Sequence, residues 1–500
     1  MQTVSGRGDR GALAIVLHTH MPYVEGFGTW PFGEEWLWEA MAGCYLPLLD
    51  LLDEGAPLTL SLTPVLCDQL EAPDVNERFA AFVQGVRRKT HAEDAAGLRA
   101  GGHEALAREL DRSWGEYERA LESLRARGDL LEALAPYAQW TSSATHAILP
   151  LLATDQGVRL QVRGGIASHR RRFGDGWRGG FWLPECAYAP WLARALEEAG
   201  VRAACVELTN QLGLGAREHL CPVATDAGVL LVPIDRATIS LVWSDGGYPA
   251  SGAYRDYHHH TIHHHNPWSN DGGAYDHDAA QALAREHAAD FVARTLARLR
   301  EANASAPGDA PLPGGGLVVC ALDTELLGHW WYEGIDWLRA VVRECASQGL
   351  ELVRLDDALE SREWPAASSE AEFISAPGPR ADSEPAGAWP AITWGRDGDL
   401  STWSGPAVAD MAFAARDAEL RVVAAGERAS ASAVRELLAL QASDWPFMIS
   451  REIATPYARE RFDGHLQALA GALEAGGQGD TAGVRNLAVD ADRACLLDPS

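Results

Sequence analysis

Four segments of this 500-residue chain read as buried strands that end on a residue able to do chemistry, and no other feature of the sequence restricts the fold as much. Residues 12–17, ALAIVL, run into His18-Thr19-His20. Residues 130–140 lead through TSSAT to His146, residues 180–183, GFWL, stop at Pro184-Glu185, and residues 317–322, LVVCAL, stop at Asp323. Apolar runs without polar alternation fit strands covered on both faces, the habit of parallel sheets flanked by helices. Pro184 lacks the N–H that would continue a ladder, so pairing should stop just before Glu185. In a closed parallel barrel every such strand end faces one rim, where residues hundreds of positions apart meet and where barrel enzymes keep their chemistry. The predicted class is therefore α/β, with a TIM-like barrel.

The rest of the chain keeps the rhythm of strand, rim loop and helix. A helix is predicted over 34–52, opened by two glutamates that suit a helix N-terminus. Strands are predicted over 58–66, 201–206 and 229–234, and helices over 155–169, 191–199 and 279–303. Between 74 and 128 the spacing of Leu106, Leu110, Trp114, Tyr117 and Leu121 predicts a helical insertion. Residues 364–390, rich in Ala, Ser, Pro and Glu, read as a linker or long surface loop. Amphipathic helical spacing after them predicts a small helical C-terminal domain. The loop 241–256 is long enough to be a lid, and six histidines follow it within 258–265.

Composition decides two points. A net charge of −28 and a pI near 5.0 argue against an electrostatic grip on nucleic acid or anionic lipid, so neither nucleic acid nor membrane is an expected partner. Cysteines 44, 67, 186, 205, 221, 320, 345 and 495 form no CxxC pair, and several lie in apolar runs, as buried thiols of a reducing compartment do. The apolar run at 13–17 is too short for a secretion signal or a span, so a cytoplasmic protein is expected. Eighteen tryptophans suit a cleft for flat amphipathic ligands such as sugar rings, although large aromatic cores use them too.

Two chemistries fit the rim residues. His18-x-His20 with Asp323 or His146 could ligate zinc or iron, as in metal-dependent deacetylases, but the third ligand is open and Glu185 is left without a role. Glu185 and Asp323 could instead work as a pair of carboxylates on a glycosidic bond, one nucleophile and one acid/base, with imidazoles and indoles gripping sugar. The tryptophan surplus favours the second, which needs neither metal nor cofactor.

The segments HTHMPYV (18–24), TSSATHAILPLL (141–152), FWLPECAY (181–188), ALDTELLGHWWYEG (321–334) and WGRDGDLSTW (394–403) resemble, in order, the five sequence regions of glycoside hydrolase family 57. They are most similar to its members that branch α-1,4-glucans. The resemblance spans nearly the whole chain and implies an incomplete (β/α)7 barrel over 1–390, with the insertion at about 74–128. It also implies a helical domain over 391–500 that lends aromatic residues to the cleft. It implies Glu185 as nucleophile and Asp323 as acid/base of a retaining transfer from an α-1,4 linkage to a 6-hydroxyl. His18, His20 and His146 would hold the sugar at the cleavage point. Trp394 and Trp403, with Trp330 or Trp331, would be stacking platforms, and Tyr248 in loop 242–252 would cap the site. The implied partner is an α-glucan such as amylose or a glycogen-like polymer. An α-glucan hydrolase, a 4-α-glucanotransferase and a noncatalytic glucan binder remain as alternatives. Two features depart from the family pattern: Glu25 stands where a basic residue is expected, and the tract 258–265 reads as a solvated loop, the alternatives being a metal-buffering or pH-sensitive one.

Overall fold

The computed structural model describes residues 11–29, 32–304, 311–365, 391–475 and 484–497. Its organising element is a sheet of β1 (Ala12–Thr19), β2 (Thr59–Leu62), β3 (Ala138–Ser142), β4 (Gly180–Trp182), β5 (Ala203–Val206), β6 (Val223–Ala224), β7 (Leu230–Pro233), β8 (Leu317–Asp323) and β9 (Glu351–Leu352). The strand order is β6-β7-β5-β4-β3-β2-β1-β8, with β9 also on β1. All pairings are parallel except β6 with β7.

β7 and β8 share no ladder. One backbone bond, from Asp235 N–H to the Val319 carbonyl at 2.9 Å, crosses the gap between them. The strands of three residues or more, β1 to β5 with β7 and β8, thus curl into a barrel that stays incompletely closed. β1 is buried at all eight positions and β8 at its first six, as strands covered on both faces must be.

Two predicted strands need correction. Only Thr59–Leu62 of run 58–66 is a strand, because Thr63 turns the chain and Pro64 opens the helix Pro64–Leu70, where its missing N–H costs nothing. The run 130–140 begins as the helix Leu130–Leu134, since the Asp129 carboxylate caps it by accepting from Glu132 N–H at 2.8 Å. Its strand starts only at Ala138. The helix expected over 34–52 runs from Glu34 to Asp53, through a π turn at Met41–Tyr45.

Between β2 and β3 lie the helices Val75–Ala81, Arg88–Ala100 and Glu104–Arg127. The last buries Leu121 and Leu124 in the barrel's own core. Helices Ala409–Ala425, Ala431–Leu440, Asp444–Ser450 and Thr455–Glu474 build a separate core around Leu437, Trp445 and Phe462, which also takes in Tyr23, Val65 and Leu160. Residues 366–390, most of the expected linker, lie outside the described residues. All eight cysteines are free thiols, seven of them buried. Among the described residues no helix is long and apolar enough to cross a membrane.

Candidate active site

Strand register brings the first residues together. His18 lies opposite Asp323 on β8 and opposite Ser61 on β2. Glu185 follows β4 in a tight turn, closed by Cys186 N–H to the Leu183 carbonyl at 2.8 Å and Ala187 N–H to the Pro184 carbonyl at 3.0 Å. The turn holds Glu185 at φ 59, ψ 25, with Cys186 (φ 51) and His146 (φ 59) also left-handed. Such backbone costs non-glycine residues about 1–3 kcal/mol each and gathers at functional sites.

Trp394 fixes the Glu185 turn from outside the barrel. Its backbone N–H donates to the Glu185 carbonyl at 3.0 Å, and its indole N–H donates to Glu185 Oε2 at 2.8 Å. The antiparallel bridge between Tyr188 and Ile392 anchors the segment that carries it.

Three imidazoles stack beside the carboxylates. The ring centres of His20 and His146 are 4.0 Å apart, those of His18 and His146 5.0 Å, and His18 lies 4.5 Å from the Trp182 ring. His18 Nε2 and His146 Nε2 are 2.9 Å apart, so one donates and the other accepts. Burial, then the nearby His20 charge, holds both far below the usual imidazole range, so they are neutral. Burial also pulls His20 down, but its Nε2–H reaches Asp444 Oδ1 at 3.0 Å and the net shift is upward. Among the described residues no group of three His, Cys, Asp or Glu is arranged to hold a metal ion.

Both carboxyls are lifted in pKa by withdrawal from bulk water. Glu185, whose side chain keeps 18% exposure to the cleft, rises to about 7, with the Trp394 bond and the His20 charge opposing the rise. Asp323 is pushed well above the carboxylate range by burial and then by the charges of Glu185 and Glu325. Burial thus favours the protonated form of Asp323, while Glu185, near 7, is partly ionised at neutrality: two carboxyls with separate tasks.

Sequence reasoning missed three residues here. Glu325, two positions after Asp323, accepts from Tyr45 O–H at 2.6 Å and from His20 N–H at 3.1 Å. Burial raises its pKa to about 7. Ser443 and Asp444 come from the C-terminal helices: Ser443 Oγ bonds His146 Nδ1 at 2.8 Å and Asp444 holds His20. Glu325 had a signal, lying inside the ALDTELLGHWW segment, whereas SDWP at 443–446 reads only as a helix start.

The site opens into a cleft of about 1160 Å³ lined by Glu185, Asp323, His18, His20 and His146. Of the four expected stacking tryptophans, Trp394 and Trp330 line it. Trp331 and Trp403 are corrected: at 1% and 2% exposure both are core residues with no free face for a sugar. Trp330 rides on a loop pressed against the barrel's first helix at Gly328, where a Cβ would run into the Gly43 carbonyl. Tyr248 stands outside the cleft lining; its hydroxyl donates to Asp290 at 2.7 Å and its ring stacks on His287 at 4.4 Å.

The histidine tract keeps His258, His259, His260 and Ile262 exposed, as its reading as a solvated loop expects, but its second half is pinned and the tract forms part of the cleft wall. Asp94 accepts from His263 Nδ1–H and His265 Nδ1–H, both at 2.7 Å. Arg87 donates to the His263 carbonyl at 2.9 Å. His258, His260, His264 and His265 line the cleft. Burial, then neighbouring positive charge, holds His264 and His265 at about 4.

The chain matches the family model for glycosyl hydrolase family 57 over residues 140–370 and that for the C-terminal region of 1,4-alpha-glucan branching enzymes over 406–488. It is 32% identical to a probable 1,4-alpha-glucan branching enzyme of Mycobacterium tuberculosis, over 97% of this chain and 96% of that protein. It is 30% identical to a 1,4-alpha-glucan branching enzyme of Thermococcus kodakarensis, over 90% of this chain and 72% of that protein. The crystal structure of a branching enzyme from Pyrococcus horikoshii superposes with a TM-score of 0.84 at 29% identity, covering 98% of this chain and 97% of that one.

Proposed function

This chain belongs to glycosyl hydrolase family 57, and on that premise we propose that it cleaves α-1,4-glucan and passes the severed chain to a 6-hydroxyl, forming α-1,6 branches with retained configuration. The observation that carries the reading is the Glu185–Asp323 pair at the cleft floor, one carboxyl clamped by Trp394, the other pushed well above the carboxylate range by burial and by the Glu185 charge, which favours its protonated form. Asp323 gives its proton to the glycosidic oxygen as Glu185 attacks the anomeric carbon, and the chain beyond the cut departs. Asp323, now a carboxylate, takes the proton of an acceptor 6-hydroxyl, whose oxygen attacks the anomeric carbon and frees Glu185.

His18, His20 and His146 hold the sugar at the cleavage point, and Trp394 and Trp330 offer ring faces to its neighbours. Loop 242–252 acts as the lid. For Tyr248 to cover the intermediate it must leave both the part-buried bond to Asp290, worth about 1 kcal/mol, and its stack on His287. Residues 1–390 form the catalytic unit, and 391–500 a helical unit that completes it. Free buried thiols fit a cytoplasmic enzyme of glycogen-like polymer synthesis.

Incubation with amylose followed by an α-1,6-specific debranching enzyme tests the reading. Short chains should be released only after debranching. Free oligosaccharides before debranching would indicate a hydrolase, and long linear chains that resist debranching a 4-α-glucanotransferase.

A further inference from the structure

In a retaining double displacement the nucleophile lies against the anomeric carbon, and the acid/base stands beside the oxygen of the chain that leaves. The wall on the Asp323 side therefore serves the departing chain and, after it, the incoming one. That wall starts from the loop after β8, where Trp330 N–H donates to the Glu325 carbonyl at 3.2 Å. Trp243 meets Trp330 edge to face at 5.7 Å, and the His329 ring lies 6.1 Å from Trp330 and 6.0 Å from Tyr257. Trp243, Trp330 and Tyr257 all line the cleft with 40%, 40% and 42% of their surface exposed. Large aromatic surface left open inside a cleft is the feature of a ligand site, and faces of this kind stack on sugar rings.

Beyond Tyr257 the wall continues as the histidine tract. The Asp256 carboxylate accepts from His258 N–H at 2.7 Å and His259 N–H at 3.1 Å, and the Asn266 side chain donates to the Asp256 and Tyr257 carbonyls. With Asp94 and Arg87 on the far half, both ends of the tract are fixed; His258, His260 and His264 line the cleft, with the His260 and His264 rings edge to face at 4.8 Å. His260 Nδ1–H already donates to the Thr261 carbonyl at 2.9 Å, which leaves its Nε2 for a sugar hydroxyl, and an imidazole nitrogen can serve a hydroxyl as donor or acceptor.

We propose that Trp243, Trp330, Tyr257 and the cleft-lining imidazoles of His258, His260 and His264 form the acceptor groove, which holds a second α-1,4-glucan chain over several sugar units. The inference deepens the transferase reading above and rests on it. The tract is the part of the groove that selects the acceptor.

The test uses α-maltosyl fluoride as donor, because its small leaving group needs no groove: the C1–F bond breaks, the bond from C1 to Glu185 forms and fluoride leaves. The intermediate then goes to water or to added maltohexaose, and the share transferred is followed as maltohexaose is raised. In His258→Ala/His260→Ala half-maximal transfer should need about 5- to 10-fold more maltohexaose, the loss of one or two hydrogen bonds. Tyr257→Ala should raise it about 10-fold through lost stacking. Fluoride release without acceptor should stay near wild type in both, and His258→Asn/His260→Asn should recover most of the affinity. Unchanged half-saturation overturns the proposal, as does an equal fall in acceptor-free fluoride release. If the wild type transfers but its products resist debranching, the α-1,6 reading fails while the partition data still judge the groove.

Discussion

The strand-end rim and the histidine tract line one cleft but are held by opposite means. His18, Ser61 and Asp323 are ladder neighbours, so none can move without slipping a strand, which would turn every side chain on it to the other face. The tract is held by side chains: Asp94 and Arg87 reaching in from the insertion, and Asp256 and Asn266 at its own two ends. Groups that must meet a transition state to within fractions of an ångström gain from backbone register. Groups that choose among flexible chains can sit on a loop that tolerates change.

Substitutions at the two regions should therefore separate chemistry from choice of acceptor. The largest effect is expected at Glu185→Gln, which removes the attacking carboxylate and should lower kcat on amylose by on the order of 10⁴-fold or more. Wild-type kcat/KM should rise with pH as Glu185 ionises near 7 and fall where the raised Asp323 loses its proton, a bell whose rising limb reports Glu185.

Asp444→Asn comes next, because it weakens the rim from its helical side. His20 is raised above its unfolded value, so its pairing with Asp444 stabilises fully below the unfolded pKa of about 6.5 and less as pH climbs through the folded value. Urea unfolding should show a loss of about 1–3 kcal/mol at pH 6 that shrinks by pH 8.5. A loss independent of pH would mean that His20 is not charged in the folded rim.

Asp94→Ala frees the tract while leaving the rim alone. It should cost about 1–2 kcal/mol in urea unfolding and raise the maltohexaose needed for half-maximal transfer, with acceptor-free fluoride release unchanged. The smallest effect belongs to Tyr248→Phe, which removes the bond to Asp290. It should change stability by less than about 1 kcal/mol and shift only the ratio of hydrolysis to transfer, scored as reducing ends against branches. If that ratio stays fixed, the loop is no lid.

The rim was legible in the sequence for the same reason that it is rigid. Strands buried on both faces carry no polar residue until they end, so His18 and Asp323 stand out at the first change of character. The misreadings at 58–66 and 130–140 arose where one residue, Pro64 or Asp129, starts a helix inside an apolar run. Ser443 and Asp444 were illegible because their place depends on how the C-terminal helices dock, through contacts such as Thr145 Oγ1–H to the Leu438 carbonyl at 2.6 Å. The pinned half of the tract was misread because a row of imidazoles looks the same exposed or pinned. Only the arrival of Asp94 from the distant insertion decides between them.

The clamp from Trp394 onto Glu185 ties catalysis to the direction in which a ribosome works. The glutamate and all nine strands are translated before the indole that steadies it, which lies 209 positions further along. Domains formed early in synthesis begin to fold while later sequence is still being made, so the sheet can gather while its nucleophile is still unsteadied and before Ser443 and Asp444 exist. Competence arrives late and all at once. Unfinished or clipped chains should therefore not be stray cutters of glucan.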